Sequence, residues 1–199
     1  MGAKAALVVF GDVQAALQNG ATPDRDAAEA VVRALRPGCE ITPADDGDLC
    51  EDAYPADGLT YVAVLPEATI VCDQELATVP VAEHVLEYAG DRPLVVFAQN
   101  STSGWLAFAE WTADGELVRA HDAEDHGQNG LADAVATELF GFTSENPPSA
   151  VLHGFRVTHP DQAARAAAFD AAVARMVQAG PRRMTLAADG SLVPLTDPS

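Results

Sequence analysis

QNSTSGWLAFAEW, residues 99–111, is the stretch whose reading decides the fold. Three hydroxyls, Ser101, Thr102 and Ser103, run into Gly104, and both tryptophans of the chain follow at Trp105 and Trp111. The hydroxyls could serve a hydrolase as nucleophiles on a turn, or they could lead into a strand. Alternation favours the strand. With a side-chain period of two, Trp105, Ala107, Ala109 and Trp111 point one way, and Leu106, Phe108 and Glu110 the other. No G-x-S-x-G elbow surrounds Ser101 or Ser103. Asp114-Gly115 follows, then the apolar-periodic ELVRAHD (116–122), the strongest short hairpin signal a sequence carries. One face of this strand must be core. The other still carries aromatics, so it is covered by a helix, lines a pocket or forms a contact patch, with Trp105, Phe108 and Trp111 as the candidate binding surface.

Outward from that hairpin, AALVVF (5–10) is an unbroken apolar run of strand length, as expected of a central strand buried on both faces. LTYVAVLP (59–66), ATIVCD (68–73) and RPLVVFAQ (92–99) predict further strands, and CEIT (39–42) and LHGFRVTH (152–159) predict extended segments. A short helical piece follows at 13–18. In TPDRDAAEAVVRALRPG, Thr22 caps a helix, Pro23 opens it, Asp24 and Asp26 sit at its positive end, and Arg33 and Arg36 at its negative end. Further helices are expected over 81–89, 131–141 and 160–179. The polar, breaker-rich residues 43–58 read as a surface loop. The expected fold is a mixed α+β domain with a largely antiparallel sheet, and a three-layer α/β fold is the alternative. SENPPS (144–149) is the one linker candidate. It divides a core of residues 1–142 from a tail, 143–199, whose long helix and AADGSLV hairpin are expected to dock on the same domain.

At 199 residues the chain is long enough to stabilise a core without disulfides or metal. Its charge is −19, with Lys4 as the single lysine, so phosphate-driven nucleic-acid binding and anionic membranes are disfavoured and basic partners favoured. Residues 1–150 carry 26 acidic and 6 basic residues, against 4 and 5 in 151–199, and a near-neutral tail suits docking on the acidic body or on a second copy. The N-terminal apolar run is too short for a signal peptide and no run approaches a membrane span, so a cytoplasmic location is expected. Cys39, Cys50 and Cys72 are then reduced thiols.

With the elements placed, the chain resembles a family of short actinobacterial proteins known only as a domain of unknown function. The matching residues are MGAK at the start, YPADG (54–58), YVAVLPEATIVCDQEL (61–76), WLAFAEWTADGELVR (105–119) and ELFGF (138–142), spanning most of residues 1–142. The resemblance implies a cytosolic α+β domain, and the family carries no assigned activity, so it lends no functional residues. AQNSTSG before Trp105 departs from the His and carboxylate that family members tend to carry there, and residues 143–199 depart from the usual family end.

Chemistry-bearing residues are sparse. His121 and His126 flank Asp122, Glu124 and Asp125, but a spacing of five at a strand exit does not demand zinc. DDGDLCED (45–52) lacks the calcium-loop spacing. Asp12 stands where the end of a central strand would present it, and Cys72 ends another strand. There is no G-x-G-x-x-G or Walker loop, so no cofactor and no metal are expected. The function expected is a non-enzymatic binding or accessory protein with a protein partner or a second copy. The alternative is a small hydrolase with a pocket near Asp12, Cys72 and His121.

Overall fold

A computed structural model describes residues 4–18, 23–124, 131–143, 146–161, 184–186 and 192–194. Two compact units divide the chain, residues 1–158 and 159–199.

The first unit is built on β1 (Lys4–Gly11), which lies inside an open antiparallel sheet. On one side β1 pairs with β5 (Ala68–Cys72), which pairs with β4 (Leu59–Val64), then β9 (Val151–Thr158), then β2 (Glu40–Pro43). On the other side come β6 (Leu94–Asn100), β7 (Trp105–Trp111) and β8 (Leu117–Glu124). The two-residue β3 (Gly47–Asp48) pairs with β9 off this path. Every pairing is antiparallel.

Both faces of this sheet are covered, and that explains the unbroken apolar run of β1. Ala6, Val8 and Phe10 join a core cluster with Val31, Val32 and Leu35 of α2 (Arg25–Leu35) and Val85 and Ala89 of α4 (Glu83–Ala89). Ala5, Leu7 and Val9 join the opposite cluster. That one holds Val13 and Ala16 of α1 (Val13–Gln18), Leu49 of α3 (Leu49–Asp52), and Val135, Ala136 and Phe140 of α5 (Leu131–Phe140). Strand direction follows the antiparallel α+β expectation, while helices lie on both faces as in the three-layer alternative. An antiparallel strand normally alternates because one face meets water; here neither does, so periodicity could not separate the two architectures.

Three expectations change. Helix α2 starts at Arg25, capped by Asp24, whose carboxylate accepts from the Asp26 and Ala27 N–H groups at 2.9 and 3.1 Å. The expected cap Thr22 lies outside the described residues. Residues 43–58 are more than a loop: Asp48 caps α3, and Leu49 is buried under the sheet. The expected division after residue 142 falls inside the first unit, because β9 is inserted between β2 and β4 with Ile41 opposite Val157 and Tyr61 opposite Gly154.

In the second unit Pro160 and Asp161 are helical, and the rest of the expected helix over 160–179 lies outside the described residues. The expected C-terminal hairpin is present as β10 (Met184–Leu186) antiparallel to β11 (Leu192–Pro194).

Candidate functional site

The opening stretch resolves as the strand. Residues 101–104 form the turn between β6 and β7, where Ser103 Oγ donates to the Asn100 carbonyl at 3.1 Å and Asn100 Oδ1 accepts from the Thr102 N–H at 3.1 Å. The Ser103 hydroxyl is thus spent on closing the turn. At the other end of β7, the Thr112 N–H donates to the Glu116 carbonyl at 2.9 Å and closes the expected hairpin into β8.

The three aromatics divide between the faces. Trp105 and Trp111 are half-buried against the cluster of α2 and α4. Phe108 is buried in the opposite cluster, so it shares no surface with the tryptophans. Trp105 Nε1 donates to Asp122 Oδ1 across the strand pair at 3.0 Å. On Phe108's side, Arg119 reaches Glu110 at 2.9 Å and Glu138 of α5 at 3.1 Å, with its guanidinium 5.6 Å from the Phe108 ring centre. The hydrogen bond to Glu138 is the largest influence that raises the Arg119 pKa, so its charge is held and neutralised locally.

Asp12, Cys72 and His121 do not meet. Cys72 pairs with Leu7, Leu7 with Phe97, Phe97 with Phe108, and Phe108 with His121. Four strand spacings thus separate the thiol from the imidazole, about 19 Å. Asp12 lies five residues beyond Leu7, about 17 Å along the strand direction. Asp12 Oδ1 accepts from the Ala15 N–H at 3.0 Å at the start of α1. It follows Gly11, whose φ of +92° and 2.2 Å approach of the Glu67 carbonyl oxygen to a hypothetical Cβ admit no side chain. Cys72 is fully buried and burial pushes its thiol well above the ordinary range, the opposite of an activated nucleophile. His121 stacks on Phe108 with centroids 5.5 Å apart, and its Nε2 is buried without a hydrogen-bond partner. His126 lies outside the described residues, and no group of three ligand-type side chains is assembled among those described.

Sequence reasoning passed over the densest polar centre. Asp73, 1% exposed, follows Cys72 at the end of β5. Its carboxylate takes Arg36 through Nη2 and, at 3.2 Å, Nε; it also takes Thr60 Oγ1 at 2.5 Å and the N–H groups of Glu75 and Leu76 at 2.9 and 3.0 Å. A carboxylate with five donors has no capacity left for a substrate and acts as a structural junction of α2, β4 and the segment after β5. Its signal in the sequence was only an acid after an apolar strand and an arginine at a helix end.

Among the described residues, what remains open is the end of the sheet. The β2 end is four residues long and closes on Pro43, which has no N–H to offer. The β8 end is eight residues long without proline. Its register with β7 shifts so that Trp111 faces Leu117 and Glu110 faces Arg119, leaving Val118 as the extra residue of a bulge. Leu117 is 56% and Val118 55% exposed.

A family model described as a family of unknown function matches residues 4–128. The chain belongs to DUF6928. No curated protein and no solved structure matches the chain. The DUF6928 match takes in β1 to β8, and so both the Asp73 junction and the open strand, but stops before α5 and β9. No described helix is long and apolar enough to cross a membrane.

Proposed function

We propose that this chain is a non-enzymatic binding protein that takes an extended segment of a basic partner protein along β8. The observation that carries the reading is the open edge. Among the described residues β8 has a neighbour on one side only, and it offers two exposed aliphatic side chains beside Trp111. An unpaired strand presents main-chain donors and acceptors that an added strand can satisfy, with side chains supplying selectivity. Charge sets the partner's sign. The chain carries −19, and Asp114, Glu116 and Asp122 border this edge while Arg119 is occupied by two glutamates. A basic segment gains from that field and an acidic one is repelled.

The test is selection of a random peptide library on the immobilised full chain, followed by fluorescence anisotropy of the winners. Peptides alternating Lys or Arg with Val, Ile or Tyr are expected, with affinity falling as salt rises and falling about tenfold or more in Val118→Lys. Neutral or acidic winners, or binding untouched by Val118→Lys, overturn the reading. A dimer in light scattering that Val118→Lys dissolves would overturn it too, by placing a second copy at the edge.

A further inference from the structure

Trp105 and Asp122 mark one point on the β8 edge. Side chains along a strand alternate between its faces, so Asp122 and Ala120 lie on the face that carries Trp105, whereas Arg119 and His121 lie on the Phe108 face. Asp122 and Ala120 are both exposed, as are Asp114 and Glu116 at the hairpin turn. The Asp122 carboxylate is held in place. The Trp105 indole, half-buried against the core cluster of α2 and α4, donates from Nε1 to Asp122 Oδ1 at 3.0 Å. A carboxylate has about four lone-pair sites, so one neutral donor leaves most of its accepting capacity and all of its charge to a further partner. Arg119, the basic residue of β8, is committed on the other face to Glu110 and Glu138.

We infer that Asp122, positioned by the Trp105 indole, selects a lysine or arginine at the one partner position opposite it. This rests on the docking reading above and deepens it: the field of the whole chain attracts a basic segment, and Asp122 fixes where along that segment a charge must stand. A residue added opposite Asp122 brings its Cβ about 4.5–5.5 Å away on the same face, within reach of a Lys or Arg head group. Ala120, the next residue on that face, leaves room for the long aliphatic stem. Two features set this pair above an ordinary surface ion pair. The carboxylate is already oriented by the indole, so less side-chain freedom is lost when the pair forms. The indole stands against the carboxylate and the added strand covers it from the other side, so less water screens the two charges. An acidic residue at that position is repelled, and an apolar one covers the carboxylate without a counter-charge.

Anisotropy with the tightest basic peptide selected on the full chain, and with its relatives in which one Lys or Arg at a time is Gln, tests this. Asp122→Asn removes the charge and keeps an oxygen for the indole. It is expected to weaken the parent peptide about fivefold, near the upper end for an exposed pair, against less than about twofold for Asp114→Asn or Glu116→Gln. The Asp122→Asn effect should vanish for one Gln relative and persist for the others. Trp105→Phe, which removes the indole N–H, should shrink the penalty of that same Gln replacement and leave the affinity of that relative unchanged; equal losses for the parent and the relative overturn the positioning role. If Val118→Lys abolishes binding while Asp122→Asn does no more than the two controls, or weakens every relative alike, this inference falls and the edge reading stands. If no basic peptide is selected, or Val118→Lys leaves its binding untouched, both fall.

Discussion

Among the described residues, Arg36→Met should cost this protein more stability than any other single change of an arginine. Arg36 caps α2 at its C-terminal end, where a cation is favoured, and its side chain is 10% exposed against 2% for Asp73. Truncating one partner of a buried ion pair costs about 3–5 kcal/mol, because the other charge is left in the interior. Here Asp73 keeps Thr60 and two main-chain donors when the guanidinium is gone. The loss therefore belongs at the lower end, about 3 kcal/mol. In a body of this size that lowers Tm by roughly 6–12 °C. Urea unfolding should show a lower midpoint with an unchanged slope, since the surface exposed on unfolding is the same. Asp73→Ala should cost at least as much, because it strands the Thr60 hydroxyl and two N–H groups together and leaves the guanidinium to its bond with Glu75 at 2.7 Å. The double variant should lose about 2 kcal/mol less than the sum of the singles. A loss below about 1 kcal/mol for Arg36→Met, or additive singles, would refute the claim that this junction is one coupled unit.

Gly154→Ala places a Cβ 2.0 Å from the Asp45 carbonyl oxygen and 2.9 Å from the Tyr61 ring, so it should shift the strap of residues 44–48 off β9 and cost about 2–3 kcal/mol by chemical unfolding. In a pulse of iodoacetamide on native protein, Cys72 should stay unlabelled while the exposed Cys50 reacts. The Asp48 carboxylate holds the Cys50 thiol above its ordinary pKa, so labelling should be slow at pH 8, quicken with pH, and quicken at pH 8 in Asp48→Asn. Burial by itself raises the Asp46 carboxyl, but hydrogen bonds from His153 and Arg25 outweigh it and lower the pKa. Hydrogen bonds from Cys50 and Ser149 lower that of Asp48. A depressed folded pKa means that the unfolded chain binds more protons, so this contribution is complete above about pH 4 and is lost as pH falls further. Asp46→Asn and Asp48→Asn should each flatten the acid limb of stability against pH, and a limb as steep as in the parent would contradict the assignment.

Local chemistry made much of the fold legible. The Asp-Gly turn between two apolar segments announced the β7–β8 hairpin. The continuous run in β1 announced a strand buried on both faces. The site was less legible, because residues adjacent in sequence such as Cys72 and Asp73 point to opposite faces. The sequence drew attention to the thiol, which is inert, and passed over the carboxylate, which anchors three segments. Phe108 likewise sat with the tryptophans in the chain and apart from them in space.

By itself, the sequence determined the strands and turns near the hairpins, the acidic surface and the absence of a complete catalytic motif, because each depends on neighbours within a few residues. Only the tertiary structure decided that residues 151–158 enter the sheet between β2 and β4, that helices cover both of its faces, and that among the described residues β8 is left as its open end. Those features depend on pairings between segments more than a hundred residues apart, where hydrogen bonds and buried area, summed over the whole sheet, choose among partners that local propensity leaves equivalent.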